Sequence, residues 1–291
     1  MKKYLISGLL VATLIVSVGA VLAAKPNPLP RGKVEIPSNA KEVAPGVFYL
    51  GKAMENGKVV EGYAFVRYKK GFVKPGTECG NGICEPGENI NKCPVDCGGG
   101  GEEPEPDSSC YGFLAKGAKW KTVEDYIVNP TNIRELDEEV IVSNFALDVG
   151  KWETAAGIEI IGDGSATTEN LVADTVSPDN KNEVYFADVD YEGAIAITIV
   201  WGIFGGPPPF RELVEWDQIY DDVDFDWSAE GVAGKMDFES IATHELGHSV
   251  GLGDLYTSEC SEQTMFGYAS YGETKKRTLE AGDIAGIREL Y

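Results

Sequence analysis

The stretch that most constrains this chain runs from Met236 to Leu255, MDFESIATHELGHSVGLGDL, because it contains both of the protein's histidines. His244 and His248 are four residues apart, a spacing that puts two side chains on one face of a helix, where their imidazoles converge on a single tetrahedral metal ion. Glu245 then stands beside the metal, placed to take a proton from water that the metal acidifies. A catalytic zinc site uses about three protein ligands and keeps one position open. With no third histidine in the chain, Asp254 is the candidate third ligand. Gly251 explains how it arrives: glycine accepts positive φ, ends the helix and lets the chain turn back toward the metal.

A bare HExxH pair is weak on its own, but here it continues as H-E-x-x-H-x-x-G-x-x-D. That pattern resembles the metzincin clan of zinc endopeptidases, whose last position is usually a third His; the Asp form resembles the snapalysin-like variant. Met265, in Gln263-Thr264-Met265-Phe266-Gly267, is similar to the clan's methionine turn, and Thr278 to Tyr291 is similar to the last helix of matrixins. The resemblance spans roughly Cys110 to Tyr291.

What it implies is an α+β catalytic domain: a twisted mixed five-stranded sheet, an active-site helix, a methionine turn and a C-terminal helix, with peptide-bond hydrolysis in a cleft. It implies too that Ala194, Ile195, Ala196, Ile197 and Thr198 lie on an edge strand along which a protein or peptide substrate runs antiparallel. A plain core strand is the alternative. Tyr268 and Tyr271 are candidate oxyanion stabilisers, although clan members that have such a tyrosine carry it where this chain has Gly267. The rival function class is a surface-binding or adhesion module that keeps a zinc-stabilised fold without catalysis. Glu245 argues against it, since structural zinc needs no general base.

The charge balance excludes one large class. With 47 acidic against 25 basic side chains and a net charge of −22, the chain repels phosphate and is no nucleic-acid binder. Residues 1–23 read as a signal peptide: Lys2 and Lys3, an apolar run from Tyr4 to Leu22, then the small-residue site Val21-Leu22-Ala23. An uncleaved N-terminal anchor is the alternative, and either one places the protein outside the cytoplasm. No later stretch is apolar enough to span a bilayer, and nothing in the sequence marks an oligomeric state.

Export makes disulfides the first reading of the cysteines. Cys79, Cys84, Cys93 and Cys97 crowd into 19 residues, whereas Cys110 and Cys260 are isolated. Two bridges within the cluster and a long Cys110–Cys260 bridge follow. The clustered segment also resembles a short disulfide motif of secreted and surface proteins, with zinc binding as its alternative and Glu85, Glu88 and Asp96 as optional calcium ligands.

The chain then divides into a segment at 24–75, a Cys-rich module at 76–97, a Gly/Glu/Pro linker at 98–109 and the catalytic domain at 110–291. In the first of these, strands around Gly46–Gly51 and Val59–Tyr68 flank Asn56-Gly57, a hairpin turn signal. Its position suggests a prosegment over the active site; an extra strand pair packed on the catalytic domain is the other reading. No cysteine precedes Cys79, so no thiol switch is expected. Downstream, periodicity predicts a first strand through Trp120–Val128, a helix over Ile133–Ala156, strands at Ile158–Ile161, Glu183–Val189, Gly193–Trp201 and Glu212–Tyr220, and Asp237 capping the zinc helix. Acids at Asp188, Asp190, Glu192 and Asp221–Asp226 are either structural calcium ligands or solvated loop carboxylates.

Overall fold

A computed structural model describes residues 32–72 and 109–291. The signal segment, the Cys-rich module with Cys79, Cys84, Cys93 and Cys97, and nearly all of the linker lie outside the described residues.

The hairpin forms where Asn56-Gly57 marks it. Both residues have positive φ, 48° and 77°, as the tight turn requires, and they join β3 (Val47–Glu55) antiparallel to β4 (Lys58–Lys69). Two short strands, β1 (Lys33–Val34) and β2 (Lys41–Ala44), precede it. The segment after Ser109 follows as β5 (Glu124–Asn129), α1 (Glu138–Ala156), β6 (Ile161–Ala166), β7 (Asn182–Val189), β8 (Ala194–Ile203) and β9 (Glu212–Asp221). A two-strand parallel pair, β10 (Trp227–Ser228) and β11 (Met236–Asp237), leads into α2 (Phe238–Ser249), and β12 (Tyr268–Ala269) and α3 (Ala281–Leu290) complete the chain.

In the order β6-β5-β7-β9-β8, with only β8 antiparallel, the sheet is the mixed α+β unit implied by the zinc-peptidase resemblance. It does not stop at β8. β4 pairs antiparallel with β8, and β3 and β2 follow outward, giving β2-β3-β4-β8-β9-β7-β5-β6. Ala194–Thr198 are therefore not on an edge in this chain, which corrects the sequence reading. β8 and the inner half of β4 are apolar on both faces, so each is covered above and below, and pairing the two places both inside the sheet.

The two faces of the sheet bury two cores. Val128, Phe186, Val200 and Tyr220 pack with Phe145, Trp152, Ile241 and Leu246 of the helices, while Val66, Ala187, Ile197 and Trp201 pack with Val34 and Phe48 on the opposite face. The first strand starts at Glu124 and not Trp120, and two other starts that differ from the sequence reading have a visible cause. Asn132 Oδ1 accepts from the backbone N–H groups of Arg134 and Leu136 and holds a loop, so α1 starts only after Asp137, whose carboxylate accepts from Glu139 N at 2.9 Å and Val140 N at 3.0 Å. After the helix ends at Gly157 (φ 77°), Glu153 Oε1 takes the N–H groups of Ile160 and Ile161, delaying β6 to Ile161. Cys110 and Cys260 are bridged, with Cα atoms 5.5 Å apart. Among the described residues, no helix is long and apolar enough to cross a membrane.

Candidate metal centre

Helix α2 is built to hold its polar residues still. Asp237 caps it by accepting from Ser240 N at 3.0 Å, and Arg277 grips the same carboxylate through Nε at 2.9 Å and Nη2 at 2.5 Å. Eleven of its residues are buried, so apolar packing surrounds the helix and fixes its rotation. From α1, Trp152 donates its indole N–H to Thr243 O at 2.9 Å. The helix ends at Gly251, φ 104°, where a Cβ would stand 2.8 Å from Ala118 O. Gly251 N bonds to His248 O at 2.9 Å and Leu252 N to Gly247 O at 2.8 Å, closing the last turn. The chain then runs back along the methionine turn, with Leu255 N on Met265 O at 2.9 Å and Gly267 N on Leu255 O at 2.8 Å.

This path brings His244, His248 and Asp254 together, one ligand atom of each lying within 4.8 Å of the others. Asp254 Oδ1 is 3.2 Å from His244 Nε2 and 3.7 Å from His248 Nε2. Atoms bonded to one tetrahedral zinc at ~2.0–2.1 Å stand about 3.4 Å apart, which these two distances bracket. Each Nδ1 faces a carbonyl, Thr264 O at 2.7 Å for His244 and Leu252 O at 3.0 Å for His248, leaving each Nε2 as the nitrogen with the lone pair. Asp254 Oδ1 is buried without a hydrogen bond. The residues fit a zinc ion.

Electrostatics favour the same use. Burial, reinforced for His244 by Arg67, pushes both imidazoles below their ordinary range and keeps them neutral, the form that ligates metal. Burial alone would raise Asp254, but His248, His244 and Arg67 together hold it below the usual carboxylate range. Glu245 is fully buried, and burial, with Asp254 adding, pushes it up to about 8 against the pull of Arg67 and Thr198. Its Oε2 accepts from Thr198 Oγ1 at 2.5 Å while Oε1 has no partner. Thr198, expected to serve as substrate-strand backbone, thus also orients the candidate base.

Met265 is 1 % exposed and lies against α2 at Gly247. Its turn is fixed from α3: Asp283 accepts from Thr264 N at 2.7 Å and Met265 N at 3.1 Å, and Gln263 Oε1 accepts from Gly282 N at 2.8 Å. Tyr271 is exposed, with Lys69 Nζ 4.8 Å above its ring. Tyr268 stacks edge-on to Tyr256 and Phe266.

Two site residues escaped the sequence reading. Tyr256 donates to Pro45 O at 2.8 Å and reaches Asp254 Oδ2 at 3.2 Å. Arg67, from β4, places Nη1 2.9 Å from His244 Nε2 and 4.0 Å from Asp254 Oδ1. The signal for Arg67 is its type: a guanidinium inside an apolar strand must meet acceptors.

Several of the acids singled out for calcium have other partners. Asp190 pairs with Lys33 at 2.6 Å, Asp226 with Arg134 at 2.8 Å, and Asp221 Oδ1 accepts from the N–H groups of Val223 and Asp224. A different set clusters instead, Asp174, Glu215 and Asp217, with Glu215 Oε1 and Asp217 Oδ1 buried and unpartnered.

The α+β fold and a cluster able to hold a metal ion are those expected of a zinc peptidase, and a comparison with known families points the same way. A family model for matrixin matches residues 207–291, from the loop before β9 through α2, the methionine turn and α3. No curated protein matches the chain. Residues 207–291 are thus similar to matrixins, a family of metallopeptidases that act on proteins or peptides with catalytic zinc.

Proposed function

We propose that this chain is an exported zinc-dependent endopeptidase, with His244, His248 and Asp254 as metal ligands, Glu245 as general base and residues 24–75 as a prosegment. The observation that carries the reading is the convergence of two Nε2 lone pairs and a bare carboxylate oxygen beside a buried, half-satisfied Glu245. Zinc bound there supplies a Lewis acid that polarises the scissile carbonyl and acidifies water. Glu245 takes the proton through the free Oε1, held in place by Thr198, and passes it to the leaving amine. Asp254 brings a negative charge that a third His would not, making the metal a milder acid. Met265 packs beneath α2 and moves no proton.

Withdrawal of β4 would turn β8 into an open edge able to take up an extended substrate by main-chain hydrogen bonds. Export rests on the N-terminal pattern of residues 1–23. Casein digestion with and without a zinc chelator, beside Glu245→Ala, tests the reading: chelator should abolish cleavage and the substitution should slow it by about 10²–10⁴-fold. Cleavage indifferent to both would refute it. One equivalent of zinc bound with no cleavage of casein or of a peptide library, by chains with or without residues 24–75, would favour the adhesion-module alternative.

A further inference from the structure

Between Val66 and Lys69, β4 is held on two sides. It runs antiparallel to β8, with Val66 opposite Ile197 and Arg67 opposite Ala196, and parallel to β12, with Tyr68 opposite Tyr268 and Lys69 opposite Ala269. One face of this strand looks into the metal cluster. Phe65 stacks on His248 with ring centroids 4.5 Å apart and planes 22° from parallel. Arg67, 2 % exposed, donates from Nη1 to Phe266 O at 2.6 Å and from Nη2 to Tyr268 O at 3.1 Å. Its Nη1 also lies 2.9 Å from His244 Nε2.

The tautomer decides what that last contact means. His244 Nδ1 faces the Thr264 carbonyl at 2.7 Å, which accepts only, so Nδ1 carries the proton and Nε2 the lone pair. The lone pair that would bind zinc is the one that accepts from Arg67. A guanidinium has no lone pair to offer a metal in exchange, and its charge has the metal's own sign. The contact and full zinc coordination therefore exclude each other.

We propose that Arg67 is a cationic stand-in that holds the metal site in a low-affinity state, so that zinc loading and withdrawal of β4 from β8 drive one another. The inference rests on the reading of the cluster as a zinc site and names how that site is regulated. By linkage, the factor by which docked β4 weakens zinc binding equals the factor by which zinc weakens the docking. The hydrogen bonds of Arg67 to Phe266 and Tyr268 add to the hold on β4, and both acceptors lie on the segment just after Met265.

The test uses the full chain, metal-free, beside Arg67→Leu. Each is titrated with zinc against a chromophoric chelator, and hydrogen exchange across Lys58–Lys69 is followed with and without one equivalent of zinc. Arg67→Leu should bind zinc about 10- to 100-fold tighter, the ordinary range of coupling between sites, and zinc should speed exchange of β4 in the wild-type chain. Arg67→Lys, which keeps a cation of similar reach, should stay close to wild type in zinc affinity. Equal affinity in wild type and Arg67→Leu, or zinc bound with β4 protection unchanged, overturns the proposal and leaves the zinc site standing. Should Arg67→Leu not fold, the exchange measurement on the wild-type chain decides alone. Absence of any zinc binding by folded chains refutes the underlying zinc reading instead.

Discussion

Replacing Gly247 by alanine sets two effects of opposite sign against each other. In an open helix interior, alanine is favoured over glycine by about 0.5–1 kcal/mol. At this position the added Cβ would stand 2.1 Å from Met265 Sδ, 2.9 Å from Met265 Cε and 3.0 Å from Trp152 Cζ2. The thioether is the flexible end of its side chain, yet Met265 is 1 % exposed, and Trp152 is pinned on the other side by its bond to Thr243 O. Overpacking of such a core costs about 1–3 kcal/mol, so Gly247→Ala should destabilise by about 1–2 kcal/mol net.

The sign should reverse once the sulfur is gone. Met265→Ala alone should cost about 2–5 kcal/mol, a transfer loss plus a cavity. Gly247→Ala made in that background refills part of the space and keeps its helical advantage, a gain of up to about 1 kcal/mol. The coupling is then about 1–3 kcal/mol, the size expected for residues in direct contact. Urea unfolding of the four proteins at one zinc concentration, followed by tryptophan fluorescence, measures it. A change of the same sign and size in both backgrounds would refute the argument that the methionine turn sets the space beside the candidate metal ligands.

Two other predictions concern stability. The Cys110–Cys260 bridge spans 150 residues of sequence, so in the chain-entropy model the paired change of both cysteines to serine should cost about 5 kcal/mol by urea denaturation, and a loss under about 1 kcal/mol would contradict it. The buried acids predict an unusual pH response: burial, helped by Asp174, pushes Glu215 up to about 9, burial drives Asp217 well above the carboxylate range, and burial likewise raises Asp174 and Glu183. Groups raised in the folded state keep their protons longer there than in the unfolded chain, so their favourable contribution is complete below about pH 4 and is lost as pH climbs toward 9. Calcium binding to Asp174, Glu215 and Asp217 would oppose that loss, so melting scans at constant zinc should show calcium raising the Tm more at pH 9 than at pH 5. Stability rising with pH in calcium-free buffer would refute this account of the cluster.

How much of this was legible in the sequence follows from how local each feature is. His244, Glu245 and His248 sit on one helix, and Gly251 determines where the chain turns, so a stretch of one turn and a bend carried most of the ligand geometry. The hairpin was likewise readable, because two adjacent residues with positive φ set its register. Helix α1 misled at its start because Asn132 and Asp137 compete with the helix for backbone N–H groups, a choice that periodicity does not see.

The edge of the sheet was illegible for a different reason. Whether β8 is an edge depends on β4, more than a hundred residues earlier, with an intervening segment that says nothing of where the hairpin docks. Composition still held a clue. Between Ala64 and Tyr68 the strand is buried on both faces, yet it contains one guanidinium, and a buried cation is tolerable only where acceptors are fixed in advance. The acceptors in reach are the carbonyls of Phe266 and Tyr268, the Nε2 of His244 and, at longer range, the carboxylate of Asp254. The arginine in this apolar strand meets its acceptors at the candidate ligand cluster, a pairing that only the docked strand reveals.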